Sequence, residues 1–330
     1  MNPPVNRRQT LAALASGAAA LGGLAPLGAL AQANYPSKPI RVVVPYAPGG
    51  ATDILGRMVA AKLQEAWGQT VVVENKPGAS GVLGNDAVSK AMPDGYTVLL
   101  GITAMVQLAT LMKLPYDPAK DFIPLTQLAV STSVLAVPAA TPAKTLAEYI
   151  ALVKSQPGKH GYGSFGAGTS AHIQGELFKS QTGTDMVHVP YKGSAPMVND
   201  LLGGQLSCAF LDVGSSRGHF KSGALRPLAA TGTERLKILP DVPTFGESGL
   251  KNFEPRGWFA YFLPAGTPAP VVAKLAAELA HIIRLPDVSA RIDELGLLPV
   301  GNTPEQFAAI VRNESVLYAK LIKELSIKIE

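Results

Sequence analysis

Three glycine-containing loops, each followed by a predicted helix, hold the residues best suited to chemistry. The loops span residues 45–53, 161–172 and 189–194. Glycines let a ligand come close to the backbone, and a helix N-terminus offers unpaired N–H groups with about half a positive charge. Such a loop binds an anion without an arginine. Glycine-rich turns also occur in any fold that alternates strands and helices, so the presence of three favours an anion site more than any one does.

Polar side chains in or beside these loops are the candidate site residues. Asp53 follows two glycines, and we expect it to accept hydrogen bonds from N–H groups of its own loop rather than to act as a catalytic base. His172 falls in the first turn of the helix after Gly168, where it either contacts a ligand or caps and packs the helix. Asp212 follows a short apolar strand and is a third candidate.

The second loop also contains the sequence G-x-G-x-x-G, at Gly161, Gly163 and Gly166, with Asp185 19 residues further on. This spacing is that of a dinucleotide-binding fingerprint, which would make the chain an exported dinucleotide-dependent oxidoreductase. The fingerprint requires a strand directly before the first glycine, and residues 155–160 instead indicate a turn. The enzyme is therefore disfavoured, although this alternative stays open.

The elements that position the loops alternate between strands and helices along the chain. Short β-branched runs such as residues 40–44 predict buried strands, and apolar residues at helical spacing predict the helices between them. This order predicts an α/β fold with mostly parallel sheets flanked by helices. The length of 330 residues is large for one core and suggests two domains.

Two apolar runs, residues 134–138 and 258–262, are the best candidates for strands that cross between the domains. They divide the chain into a first lobe, residues 34–133 together with 260–330, and a second lobe, residues 134–259.

Residues 1–33 have the pattern of an export signal. Adjacent arginines at positions 7 and 8 precede an uncharged stretch, residues 11–30, and small residues close it at Ala31 and Ala33. This is the order of a secretory signal peptide. We expect cleavage near Ala31 or Ala33 and release into the periplasm. The arginine pair also fits a twin-arginine signal, so the export route stays open.

Charge and motif content exclude several classes of protein. The net charge of +5 falls to +3 without the two arginines of the signal, and the basic residues are scattered singly, so no nucleic-acid face is expected. Cys208 is the single cysteine and cannot form an intramolecular disulfide. The sequence contains no H-E-x-x-H, C-x-x-C, G-x-S-x-G or P-loop, so we expect no metal, no cofactor and no catalytic residue.

Eight short motifs follow one another along the chain, and their order and spacing are far more specific than any one of them. Together they resemble the Bug-type family, the extracytoplasmic solute receptors of tripartite tricarboxylate transporters. The motifs are YPSKPI at 35–40, PGGATD at 48–53, VENKPGA at 73–79, PDGYT at 93–97, LPYDP at 114–118, VHVPYKG at 187–193, LLGGQ at 201–205 and LPDVPT at 239–244.

This resemblance implies a two-lobed periplasmic-binding-protein fold, type II-like, which closes on a ligand between its lobes. It implies a small organic carboxylate as ligand, held largely by backbone N–H groups and ordered water. The partners would be the integral membrane subunits of such a transporter, with the receptor itself a monomer and not an enzyme. We expect a ligand carboxylate to lie on the N-termini of the helices that follow Gly50 and Gly168.

The resemblance also carries over a set of ligand-binding residues from loops of both lobes. Two departures from the family pattern, Ser80 in place of a frequent glycine and an unusually apolar stretch at 103–107, leave open whether the ligand is an aliphatic dicarboxylate, a tricarboxylate or an aromatic carboxylate. The carried-over residues are Tyr46, Ala47, Gly50, Asp53, Ser80, Thr103, Ser164, Gly168, Thr169, His172, Tyr191, Lys192 and Asp212.

Overall fold

The structure, a computed structural model, covers most of the chain after the predicted signal. Two predicted site residues, Ala47 and Lys192, lie outside the described residues, as does the predicted signal at residues 1–33. The described residues are 35–46, 48–191, 194–253 and 257–328.

Apolar runs rich in β-branched and aromatic residues form most of the eleven strands in these residues, because such side chains pack well on a pleated surface. The strands are β1 (Ile40–Val44), β2 (Val71–Asn75), β3 (Thr97–Ile102), β4 (Phe122–Ser131), β5 (Ser133–Pro138), β6 (His160–Ser164), β7 (Met186–Pro190), β8 (Cys208–Asp212), β9 (Leu225–Ala230), β10 (Gly257–Pro264) and β11 (Leu297–Pro299).

Ten α-helices connect these strands within the described residues, and each buries an apolar face. In the first of them Leu55, Val59 and Leu63 repeat at helical spacing and are buried. The helices are α1 (Ala51–Trp67), α2 (Val82–Ser89), α3 (Ala104–Leu111), α4 (Leu146–Lys154), α5 (Ser170–Thr182), α6 (Ser194–Leu202), α7 (Val213–Lys221), α8 (Ala269–Ile283), α9 (Pro286–Glu294) and α10 (Pro304–Glu324).

The strands form two separate sheets. The first sheet has six strands in the order β11-β4-β10-β3-β1-β2, and the second has five in the order β7-β6-β8-β5-β9. The predicted α/β architecture is therefore confirmed. The expectation of mostly parallel sheets is wrong, because only four of the nine strand pairings are parallel.

Two inserted strands account for most of the antiparallel pairings. In the first sheet β10 lies between β3 and β4 and runs antiparallel to both. In the second sheet β5 lies between β8 and β9 and runs antiparallel to both. β5 follows β4 after a single residue, Thr132, although the two strands belong to different sheets. A strand that reaches its sheet without a crossover helix is free of the constraint that makes βαβ units parallel.

Parallel neighbours place the predicted loops at the carboxyl edges of the two sheets. The last residues of β1 and β2, Val44 and Asn75, lie opposite each other. In the second sheet the last residues of β6 and β7, Ser164 and Pro190, are likewise paired. The loops that follow β1 and β6 therefore lie at sheet edges where ligands of α/β proteins commonly bind.

The strand β6 corrects one sequence-based expectation. Gly161 and Gly163 belong to this strand and not to the loop that follows it. A Cβ atom on Gly163 would lie 2.7 Å from a methyl carbon of Leu206 and 2.9 Å from Met197. Close packing therefore explains this glycine, and the G-x-G-x-x-G sequence does not form the strand-to-helix turn of a dinucleotide site.

The described residues from Lys38 onward form one compact unit that includes both sheets. The division of the chain into lobes at residues 133 and 260 stays a prediction. Among the helices of the described residues, none is both long and apolar enough to cross a membrane.

Candidate functional site

The carboxylate of Asp53 holds the first loop together. Its Oδ2 accepts the backbone N–H of Gly49 at 2.9 Å, and its Oδ1 accepts the side-chain amide of Asn75 at 2.9 Å. Arg57, one turn further along α1, donates from Nε to Oδ2 at 3.1 Å, and its Nη2 lies 3.0 Å from Oδ1 in an ion pair. Asp53 is only 4% exposed. As expected from the sequence, this side chain bonds to its own loop, and its oxygens are already engaged.

The ionised form of Asp53 is the stable one. Burial opposes ionisation, but hydrogen bonds from Arg57, the Gly49 N–H and Asn75 outweigh it, so the pKa of Asp53 lies below its ordinary value. Arg57 balances the charge locally, so Asp53 leaves less net negative charge to repel an anionic ligand than an unpaired carboxylate would.

A second set of contacts joins this loop to the turn that contains Ser80. The amide of Asn75 donates to the Tyr46 carbonyl at 3.1 Å, and the Tyr46 hydroxyl donates to the Ser80 carbonyl at 3.3 Å. Ser80 is exposed, with φ of 55°, and Ala79 before it has φ of 47°. Two adjacent residues with side chains in the left-handed region are uncommon and mark a strained turn.

The predicted site residue Thr103 directly precedes α3 and supports the inserted strand β10. Its hydroxyl oxygen accepts the backbone N–H of Trp258 at 2.7 Å, and its own N–H donates to the Trp258 carbonyl at 3.2 Å. Thr103 is 2% exposed. Its hydroxyl oxygen is therefore engaged in joining β3 to β10.

The second loop is organised around the carbonyl of Gly166. The hydroxyls of Ser164 and Thr169 donate to this oxygen at 3.0 and 2.7 Å. The backbone N–H of Gly168 donates to Nδ1 of His172 at 3.0 Å. His172 therefore caps and packs its helix, which is one of the two roles predicted for it. Because the N–H groups of Gly168 and Thr169 are occupied, the backbone donors left at this helix end are those of Ser170, Ala171 and His172.

A stack of aromatic rings lies behind the second loop. The imidazoles of His172 and His188 are parallel within 5°, with their centroids 3.8 Å apart. Tyr162 stacks on His188 at 5.0 Å and donates its hydroxyl proton to Glu176 at 2.6 Å. Burial lowers the pKa of both histidines, and His172 beside it further lowers that of His188, to about 4. Both rings are neutral at pH 7.

The third loop adjoins the second. The N–H of Tyr191 donates to the Ser164 carbonyl at 2.9 Å, and its hydroxyl donates to Asp200 at 2.7 Å. Burial and then the Asp200 carboxylate raise the pKa of Tyr191 to about 12. Asp212 is the last residue of β8, opposite Ser133, and is half-buried directly before α7.

The structure thus joins the predicted site residues into two groups, one at each sheet edge. Tyr46, Asp53 and Ser80 are linked in the first. Ser164, Gly168, Thr169, His172 and Tyr191 are linked in the second. Hydrogen bonds also join helices of the two sheets, among them one from the amide of buried Gln107 on α3 to the Ser170 hydroxyl at 2.9 Å.

Three residues that organise the site were not predicted. Arg57 could have been found, because it lies four residues after Asp53 on a predicted helix. Asn75 and His188 lie within recognised motifs, but neither was assigned a role. Asn75 contacts Asp53 only because β2 lies beside β1. His188 meets His172 only because β7 lies beside β6.

The helices that follow the first and second predicted loops begin without a side-chain cap. Gly50, the N-cap of α1, has no side chain, and the hydroxyl of Thr169, the N-cap of α5, is turned to the Gly166 carbonyl. The first-turn N–H groups of a helix have no partner within the helix. Each of these two helix ends, which lie at the carboxyl edges of different sheets, could therefore accept an anionic group.

Comparison with known proteins identifies the family. The family model for the tripartite tricarboxylate transporter family receptor, TctC, matches residues 55–327. This chain belongs to that family. Protein BugT of Bordetella pertussis is 33% identical over 329 residues, which are 99% of this chain and 100% of BugT. The resemblance to Bug-type receptors is therefore confirmed.

Solved structures agree in fold and describe ligands for two relatives. A protein of R. palustris solved with adipate is 33% identical, with a TM-score of 0.83 over 89% of this chain and 99% of its own. MatC of Rhodopseudomonas palustris with bound malate is 30% identical, with a TM-score of 0.78 over 87% of this chain and 100% of its own. The periplasmic-binding-protein fold class is confirmed. The chain is a solute-binding receptor and not an enzyme, and the oxidoreductase alternative finds no support in its relatives.

Proposed function

We propose that this receptor captures a small organic carboxylate between its two sheets and delivers it to the membrane subunits of a tripartite tricarboxylate-type transporter. The observation that carries this proposal is the pair of helix ends without side-chain caps, at Gly50 and Thr169. Each follows a strand from a different sheet, β1 or β6. A ligand that contacts both ends would join the two sheets.

The scarcity of cations in the loops favours recognition by backbone donors. The three loops contain one formal cation, Lys192, and no arginine. Arg57 on α1 is already paired with Asp53. A buried carboxylate without partners costs several kcal/mol. Its partners are therefore the first-turn N–H groups of α1 and α5, together with hydroxyls and water.

An aliphatic dicarboxylate is the ligand class that this arrangement favours. Two helix ends offer one site for each carboxylate, and the relatives with adipate and malate bound hold ligands of this kind. An aromatic monocarboxylate would engage one helix end only. We propose adipate and malate as the first ligands to test.

The proposal includes export and closure. The signal at residues 1–33 would be cleaved near Ala31 or Ala33 to give a periplasmic monomer, in keeping with the periplasmic location of receptors of this family. The lobes at 34–133 with 260–330 and at 134–259 would close on the ligand. Small-angle scattering of the mature protein should show a smaller radius of gyration at saturating ligand, and an unchanged value would argue against closure.

Isothermal titration calorimetry of the mature protein with adipate, malate, citrate and benzoate tests the ligand class. We expect a dicarboxylate to bind most tightly, and a ligand at 100 times its dissociation constant to stabilise the protein by about 2.7 kcal/mol. Adipamide, which has the same chain but no charge, is the matched control. Binding of adipamide as tightly as adipate would refute recognition by charge.

A further inference from the structure

We propose that the stacked imidazoles of His172 and His188 are positioning residues, which hold the 164–169 loop in its ligand-binding form only while both rings are neutral. This inference rests on the proposed function, because it concerns the loop that leads into the helix end at Thr169. Neither ring is assigned a contact with the ligand, and each acts through the loop backbone.

The tautomer of His172 follows from its hydrogen bond. The backbone N–H of Gly168 donates to Nδ1 over 3.0 Å, so Nδ1 must present a lone pair and the ring proton must lie on Nε2. A second proton would sit on Nδ1 and face the Gly168 N–H. Protonation would therefore break the one contact that connects this ring to the loop.

We assign the tautomer of His188 from the contacts of the Ser164 hydroxyl. Nε2 of His188 lies 2.7 Å from Oγ of Ser164, which donates to the Gly166 carbonyl at 3.0 Å and accepts the Gly166 N–H at 3.3 Å. We assign the single hydroxyl proton to the Gly166 carbonyl, so that His188 donates from Nε2. Its Nδ1 is then unprotonated in the neutral ring.

The surroundings of the pair oppose a positive charge. The centroids of the two imidazoles are 3.8 Å apart, so a charge on one ring lies directly against the other. Glu176 on α5 is the nearby carboxylate, but it pairs with Lys179 at 2.9 Å and accepts the Tyr162 hydroxyl. Tyr162, from β6, covers His188 with a neutral ring. The lowered pKa values of both histidines agree with this geometry.

The pH dependence has a definite sign. A histidine whose pKa is lowered in the ordered loop stays neutral there, whereas in a disordered loop it takes up a proton near its ordinary pKa of about 6.5. Acid therefore favours the disordered loop, increasingly as the pH falls from about 6.5 toward the lowered pKa. Ligand affinity should fall in the same window and be constant above it.

The test uses variants that reproduce each hydrogen bond without a titrating ring. The amide oxygen of H172N replaces the acceptor Nδ1, and the amide nitrogen of H188Q replaces the donor Nε2. Calorimetry with adipate at pH 7.5 and 5.5 compares the double variant with the wild type. The titration of adipate itself affects the wild type and the double variant equally, so it cancels when the two are compared. H281N, at an exposed histidine on α8, is the matched control.

Between pH 7.5 and pH 5.5 we expect the affinity of the wild type for adipate to fall about tenfold more than that of the double variant. This difference corresponds to the uptake of about one proton by the histidines of the disordered loop. H172L, which has no acceptor, should lose about tenfold or more at pH 7.5, since it leaves the Gly168 N–H unpaired, and H172N should recover most of that loss. An equal pH response in the wild type and the double variant would overturn the proposal.

Nitrogen chemical shifts of the wild-type histidines provide a readout that does not depend on any ligand. They should show an unprotonated Nδ1 on both His172 and His188 at pH 7.5. A proton on Nδ1 of His172 would overturn the positioning proposal even if adipate binds. Failure of every carboxylate to bind, with these tautomers observed, would instead refute the proposed function.

Discussion

The backbone N–H of Gly168 donates to Nδ1 of His172 over 3.0 Å. This relationship corrects the simplest view of the second loop, in which Gly168 itself would offer a donor to the ligand. The glycine is required for its backbone conformation, with φ of 76°, and the histidine fixes that conformation. The backbone donors for an anion then lie in the first turn of α5, at Ser170, Ala171 and His172.

Gly168→Ala should lower the free energy of unfolding by about 1–2 kcal/mol, because a side chain is strained in the left-handed region. Ligand affinity should fall as well, since the loop would relax away from His172. Gly218→Ala, in helix α7 with open space around it, is the control and should be neutral or stabilising. Urea denaturation measures both. Equal effects of the two substitutions would contradict this account of Gly168.

Asp53→Asn should destabilise the protein by roughly 2–4 kcal/mol, because it removes a buried charge-assisted acceptor and leaves Arg57 without its partner. Asp287→Asn, at an exposed pair with Lys62, is the control and should cost far less, because solvent screens an exposed ion pair. The lowered pKa of Asp53 means that its contribution is present above its ordinary pKa and is lost as the pH falls through the lowered value. Chemical denaturation between pH 7 and 3 should therefore show a shallower acid dependence in the variant.

Conversion of one ligand carboxylate to a primary amide should weaken binding by roughly 2–3 kcal/mol, the scale of a charge-assisted hydrogen bond. Lys192→Met should have a smaller effect if backbone donors dominate. Calorimetry on both perturbations decides between the two modes of recognition. Loss of all binding in Lys192→Met, with the amide still bound tightly, would indicate an ion pair and contradict recognition by helix ends.

Glu314→Gln should stabilise the protein at pH 8 and have little effect at pH 5. Glu314 accepts the indole N–H of Trp258 at 2.7 Å, and burial raises its pKa to about 7. The folded protein therefore keeps a proton that the unfolded chain releases above about pH 4.5, so stability falls as the pH rises from about 4.5 to 7. The amide oxygen of glutamine can still accept the Trp258 N–H, but the side chain does not titrate, so this pH dependence of stability is removed.

The gain at pH 8 should be about 1–3 kcal/mol by chemical denaturation. Glu324→Gln, at an exposed position of the same helix, is the matched control and should change stability by less than about 0.5 kcal/mol. Parallel pH profiles for the wild type and Glu314→Gln would contradict the raised pKa.

Much of the local structure could be predicted because its causes are local. A glycine run before a helical apolar pattern marks the loop at 48–53, and the spacing of Leu55, Val59 and Leu63 marks α1. The role of Asp53 was predicted for the same reason, since its partner Gly49 lies only four residues away.

The strand β6 was missed because its sequence lacks the usual signal. His160–Ser164 contains two glycines and one large apolar residue, Tyr162. Glycine weakens a strand because it has no side chain to pack, so the local sequence does not predict one here. The side chains of Leu206 and Met197 pack where a side chain on Gly163 would lie. This tertiary requirement explains the glycine and is not visible in the sequence.

The sequence by itself determined most of the alternation of strands and helices, the loops that suit an anion, and, through the resemblance of eight motifs, the family. Only the tertiary structure decided that β10 and β5 enter their sheets antiparallel to their neighbours, that Asn75 bonds to Asp53, and that His172 stacks on His188. Periodicity and propensity act over a few residues, whereas these contacts join residues from separate strands and helices. Which side chains meet is set by strand order and register, and these depend on the packing of the whole fold.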